Sequence, residues 1–183
     1  MNSRWVFILI SFYYFGIHSA CSQDGNACIH EGWEYILDDT GDVLQIAMPL
    51  SARLATIFQK DYEGTKQLAF SYAATTALTY TLKYTAIRQR PVGPTTYDSF
   101  PSGHTSSAFA GASFIQRRYG WKYGKYAYIL AALAGVSRME GPDGYHNIWD
   151  VLGGAAVGVG STYIFTYPYE IPKKRYVFHQ IRI

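Results

Sequence analysis

Pro101–Gly120 reads PSGHTSSAFAGASFIQRRYG, and its reading sets the fold class. Ser102 is a strong N-cap residue and Gly103 lets the backbone come close to a ligand, so a helix opens at His104. Small and apolar residues carry it through Tyr119, and Gly120 stops it. The same pattern recurs on both sides. Val43–Gln59 has apolar residues at helical spacing, interrupted by Pro49, and Glu63–Ile87 is a long Ala, Leu, Thr and Tyr segment. Arg88–Pro101 holds three prolines and Gly93 and reads as a loop. Tyr126–Arg138 is an Ala/Leu helix, Gly141–Gly144 a tight turn, and His146–Phe165 a final helix rich in Gly and Ala. No strand alternation and no internal repeat stands out. The expected fold is all-α, a compact helical bundle of five to six helices with the active site at helix ends.

Composition narrows the class. At 183 residues the chain forms one domain with a real core, and 49% hydrophobic against 16% charged residues argues against disorder. The net charge is only +3, and no Lys/Arg stripe alternates with aromatics, so nucleic acid is not an expected partner. The 17 tyrosines suit surfaces that are half wet and half apolar, such as a membrane interface, or simply a Tyr-rich core and rim.

Arg4, the apolar run Trp5–Ile17 and the small residues Ser19, Ala20 and Ser22 read as a signal peptide over residues 1–22. Cys21 stands at a possible lipoprotein cleavage point, but His18 occupies a place where such signals carry an aliphatic residue. Residues 23–41 form an acidic lead-in, residues 42–168 the helical domain and residues 169–183 a basic tail. Ala108–Ile115 and Tyr126–Val136 fall short of the roughly 20 apolar residues that a bilayer core requires. Arg53 and Lys83 interrupt two other candidates. The expected location is therefore exported, periplasmic or membrane-associated facing the periplasm, with an integral membrane form as the alternative.

Three blocks carry the chemistry. Lys83 and Arg90 lie seven residues apart, with Pro91 ending the helix just after. Arginine offers a planar fork to phosphate oxygens and lysine a point charge, although the pair alone would be a solvated helix end. Ser102, Gly103 and His104 open a helix whose N–H groups point at an anion. Ser102 either caps that helix or donates to a phosphoryl oxygen, and His104 is placed to protonate a leaving oxygen. The plain alternative is a capped helix with a surface histidine. His146 and Asp150, four apart, share a helix face. A carboxylate fixing one imidazole nitrogen leaves the other free to attack, making a histidine nucleophile. The plain alternative here is a helix-stabilising Asp. Arg138 adds a third cation for the equatorial oxygens of a transferring phosphoryl group.

Together and in this order, Lys-(six)-Arg-Pro, Pro-Ser-Gly-His and Ser-Arg…His-(three)-Asp resemble the signature of the type 2 phosphatidic acid phosphatase and vanadium haloperoxidase superfamily. The resemblance covers about residues 42–166. It implies a metal-free phosphohydrolase with His146 as nucleophile, Asp150 as its orienting partner and His104 as general acid. Lys83, Arg90, Ser102, Gly103 and Arg138 would form the phosphate pocket, with no cofactor and no metal. One departure stands out: seven residues separate Arg138 from His146, where the family usually has five. The lengthened turn either bulges outward or shifts Arg138.

The expected function is a metal-independent extracytoplasmic phosphatase. It would act on a phosphomonoester or diphosphate, of a membrane lipid such as phosphatidate, polyprenyl diphosphate or lipid A, through a phosphohistidine. The expected partners are such a lipid or a small phosphoester, and the membrane surface. The alternative is a soluble broad-specificity acid phosphatase; a vanadate-dependent haloperoxidase and a non-catalytic phosphate-binding module are remoter ones.

Overall fold

Among the described residues five helices follow one another, α1 Gly32–Phe58, α2 Tyr62–Ala86, α3 Gly103–Tyr119, α4 Trp121–Glu140 and α5 Ile148–Phe165, with the longest connection, residues 87–102, between α2 and α3. The computed structural model describes residues 32–91, 96–140 and 146–169. The expected signal peptide, residues 23–31 of the lead-in, the 141–144 turn and the tail beyond Tyr169 lie outside the described residues. The bundle is all-α, as expected.

Local chemistry places the helix ends. Asp61 caps α2 by accepting from Gly64 N–H at 2.8 Å. Ser102 caps α3, and Gly120, at φ +88°, ends it in a conformation other residues rarely adopt. Asn147 and Asp150 form a capping box at the start of α5, each side chain accepting from the other's backbone N–H.

Boundaries differ from expectation in four helices. The second ends at Ala86, so Arg90 stands in the following loop and not at a helix end, and the fifth starts at Ile148, so His146 precedes the Asn147 cap and does not share a helix face with Asp150. The first helix begins at Gly32, inside the segment read as an acidic lead-in, and runs through Pro49 without a break. Two acids of this helix, Asp38 and Asp42, face Arg138. The fourth helix starts at Trp121, directly after Gly120, because Gly124 lets the chain close against Gln116.

The third helix is the hub and touches all four others. Its close seating on α5 comes from two glycines: a Cβ on Gly154 would lie 2.5 Å from the Ser102 carbonyl, and one on Gly158 2.4 Å from that of Ser106. Backbone contact at this pair brings the N-termini of α3 and α5 together, and Ser102 N–H donates to the Asp150 carbonyl at 2.9 Å. Both ends of this join belong to the sequence blocks.

Small residues dominate the core, beside Leu44, Met48 and Leu68. The interior is filled by Ala52, Ala108, Ala112, Ala131 and Ala134 with buried Ser and Thr, and Phe114 is the one large apolar side chain wholly enclosed among the described residues. Many large apolar side chains face outward. Ile46 and Leu50 on α1, Ile129 on α4 and Leu152 and Ile164 on α5 are all more than half exposed.

Candidate active site

The N-termini of α3 and α5 and the C-termini of α2 and α4 meet at one end of the bundle, where the first turns of α1 also lie. A cavity of about 640 Å³ opens there. Lys83, Arg90, Gly103, His104, Arg138 and His146 all line it, so residues 63 positions apart in sequence converge on one space. Ser102 and Asp150 do not line it. Ser102 is fully buried as the α3 cap, accepting from Thr105 Oγ1 at 3.0 Å. Asp150 is fully buried behind His146.

Arg138 lines the cavity despite the longer turn. His146 N–H donates to the Arg138 carbonyl at 3.2 Å, so the two ends of the segment between them are held together. The extra residues therefore leave the arginine and the histidine on one wall.

His146 is buried, with Nδ1 turned toward Asp150. The imidazole thus offers Nε2 to the cavity. The expected direct hydrogen bond to Asp150 is not made: the Nδ1–Oδ2 separation is 3.7 Å, beyond hydrogen-bond range. Ser99 stands between them. Its hydroxyl donates to Asp150 Oδ2 at 2.6 Å and lies 3.5 Å from His146 Nδ1. Asn147 N–H donates to the same carboxylate oxygen, and Arg88 Nη1 lies 3.4 Å from Oδ1. Asp150 is thus both a helix cap and the anionic floor under His146. Burial first, then the nearby charges of Lys83 and Arg90, pull the His146 imidazole below the usual histidine range, to about 4. It is neutral, and so nucleophilic, at neutral pH.

Each cation of the site is engaged by the chain's own oxygens. Lys83 Nζ donates to the Asp98 carbonyl at 2.6 Å. Arg90 forms a two-pronged pair with the Asp98 carboxylate, 3.0 Å at each prong, which holds that carboxyl well below the ordinary range. Arg138 pairs with Asp38 and lies 3.2 Å from Asp42 Oδ1. His104 Nε2 donates to Asp42 Oδ1 at 2.8 Å, and Arg138 Nη1 stands 3.3 Å from the same nitrogen.

Five of these residues escaped the sequence reading: Asp38, Asp42, Arg88, Asp98 and Ser99. The spacing of Asp38 and Asp42, four apart as on one helix face, was the only available signal. The other three are single residues of a loop with no pattern to mark them.

The comparisons fit this geometry. Residues 64–171 match the model of the PAP2 superfamily, and the chain belongs to that superfamily. Like its relatives, it is a phosphatase. It is 32% identical over 164 residues to the lipid A 4'-phosphatase of Helicobacter pylori, spanning 84% of this chain and 80% of that one. With the lipid A 1-phosphatase of Porphyromonas gingivalis it shares 42% identity over 80 residues, which cover 42% of this chain and 17% of the other. The crystal structure of Aquifex aeolicus LpxE has the same fold, with a TM-score of 0.62 at 24% identity, over 76% of this chain and 88% of that one. So does a transmembrane PAP2-type phosphatidylglycerolphosphate phosphatase of Bacillus subtilis, with a TM-score of 0.56 at 23% identity, over 89% and 92%.

Proposed function

We propose that the chain is a metal-independent phosphatase that removes a phosphate group from a membrane lipid through a phosphohistidine on His146. The observation that carries this reading is the convergence of His146, His104 and three cations on one cavity. His146 Nε2 attacks phosphorus while Lys83, Arg90, Arg138 and the Gly103 backbone hold the phosphoryl oxygens. His104 gives its proton to the leaving oxygen, and water then attacks the phosphohistidine. Asp150 and Ser99 position His146, and Ser102 fixes the helix start that carries Gly103 and His104. Relatives named as lipid A phosphatases support a lipid substrate.

The outward-facing apolar side chains favour the integral form over a soluble phosphatase. A bundle with small residues inside and large apolar ones outside suits lipid, where helices associate by close contact rather than by hiding hydrocarbon from water. The α5 helix is long and apolar enough to cross a membrane, and only 33% of it is buried. The third and fourth helices, 17 and 20 residues long, extend to about 26 and 30 Å, close to a hydrocarbon core. The opposite end of the bundle carries the exposed Lys60, Lys66, Lys122 and Lys125. That pattern supports a cytoplasmic placement for it and an extracytoplasmic one for the cavity.

Phosphate release by the purified chain in detergent tests the reading. Activity is expected to persist in EDTA and to fall at least about a thousandfold in His146→Ala. Loss of activity in EDTA contradicts the metal-free mechanism, and activity surviving in the variant contradicts the nucleophile.

A further inference from the structure

Asp42 lies in α1, outside the residues 64–171 that match the superfamily model, yet it lines the cavity with the catalytic histidines. Gly41 puts it there. A Cβ at that buried position would overlap Ser137 Oγ, so the bare backbone lets α1 close on α4 beside Arg138. At this close approach Asp42 Oδ1 lies 2.8 Å from His104 Nε2 and 3.2 Å from Arg138 Nη1.

The site thus holds two histidine–carboxylate pairs of unequal reach. His146 and Asp150 stand 3.7 Å apart with Ser99 beside both, whereas His104 and Asp42 are in direct hydrogen-bond contact. A carboxylate only accepts, so the proton between Asp42 and His104 belongs to Nε2. That bond fixes the tautomer of the ring and leaves Nδ1 as the nitrogen that exchanges a proton. When Nδ1 is protonated as well, the charged ring shares its cavity with Lys83, Arg90 and Arg138, and Asp42 is the anion in contact with it.

We infer that Asp42 is the positioning residue of the general acid, holding His104 through Nε2 and steadying the charged ring that delivers the proton from Nδ1. The inference rests on the phosphatase reading above. In the first step His146 Nε2 bonds to phosphorus and the P–O bond breaks, its electron pair staying on the leaving oxygen. The Nδ1 proton of His104 passes to that oxygen, and the ring is left neutral with its other proton still on Nε2 against Asp42. In the second step Nδ1 takes a proton from water as the water oxygen attacks phosphorus. The N–P bond breaks and its pair returns to His146. Asp42 touches no reacting atom in either step, and its effect passes through His104.

A residue that acts through the general acid matters in proportion to the leaving group's need for a proton. The alkoxide of a lipid phosphate needs one, whereas p-nitrophenolate, a far weaker base, does not. The test measures kcat/KM for dioleoyl phosphatidate and for p-nitrophenyl phosphate with the full chain in detergent, as wild type, Asp42→Asn and His104→Ala. The ratio of phosphatidate to p-nitrophenyl phosphate is expected to fall about fivefold or more in Asp42→Asn, and further in His104→Ala. A smaller fall in Asp42→Asn overturns the inference, since a displaced Arg138 alone would slow both esters alike. An unchanged ratio in His104→Ala overturns the general-acid role of that histidine, and the inference with it. Wild-type protein that releases phosphate from neither ester overturns the phosphatase reading itself. Should the variant fail to fold, or phosphatidate alone go unhydrolysed, the ring ¹⁵N shifts of His104 in the wild type decide. A proton on Nε2 in both the neutral and the charged ring is expected, and a neutral ring carrying its proton on Nδ1 overturns the inference.

Discussion

Asp61 and Arg118 at one end of the bundle, and Asp98 and Arg90 at the other, make the same two-pronged ion pair. The first pair closes at 2.6 and 2.7 Å and the second at 3.0 Å on both prongs. Their surroundings differ far more than their geometry. Arg118 and Asp61 are 7% and 3% exposed, and each has further partners. Tyr119 Oη and Gly64 N–H also donate to Asp61, while Arg118 Nη1 donates to the Tyr167 and Pro168 carbonyls. Arg90 and Asp98 are 21% and 46% exposed and border a cavity. A buried pair with every lone pair answered is a lock, whereas one open to solvent can give up its carboxylate to a phosphate. Structure and chemistry thus divide between the two ends.

Removing one partner of each pair should separate these roles most strongly. Arg118→Ala leaves Asp61 buried without its cation and is expected to cost about 3–5 kcal/mol of stability. Asp98→Ala is expected to cost about 1 kcal/mol or less, as at other exposed pairs. Denaturation midpoints in detergent check both, and equal losses would erase the distinction between the two ends.

A smaller effect is expected at Ser99, which links Asp150 to His146. Ser99→Ala should lower kcat about tenfold through a misplaced imidazole, with little change in KM or melting temperature. An unchanged kcat would mean that Asp150 holds His146 across 3.7 Å unaided.

The subtlest effect lies in pH dependence. His146 must be neutral to attack, and its pKa in the folded protein lies below the ordinary 6.5, at about 4. The acid limb of kcat/KM, which reports the free enzyme, should therefore fall near the lower value. The stability contribution follows the same sign. The folded value is depressed, so the unfolded chain binds the proton first, and stability is lost as pH falls from the ordinary histidine range toward about 4. An acid limb at the ordinary histidine value would show that His146 is not held as buried.

The third helix was legible in sequence because its punctuation is local, Ser102 before and Gly120 after, whereas the Asn147 cap that starts the fifth helix two residues later than expected was missed. Six residues of the cavity wall, Lys83, Arg90, Gly103, His104, Arg138 and His146, were legible too, since their order and spacing carry the pattern. Three things were not legible. The role of Asp38 and Asp42 in the site was hidden because their partner, Arg138, lies about a hundred positions away. Ser99 and Asp98 act from a loop, where no period marks a side chain's direction. The outward turn of the large apolar residues was hidden as well. Helical spacing shows that a face is apolar without saying what covers it, and the burial pattern, with the close contacts at Gly154 and Gly158, shows which side faces in.

Trapping the phosphorylated chain tests the central claim most directly. Rapid acid-free quenching during turnover, followed by peptide mass spectrometry under alkaline conditions, should find phosphate on His146 and on no other residue. The adduct should accumulate when hydrolysis is slowed and disappear in His146→Ala. Turnover with phosphate on another side chain, or with no phosphorylated chain at any time in the cycle, would contradict it.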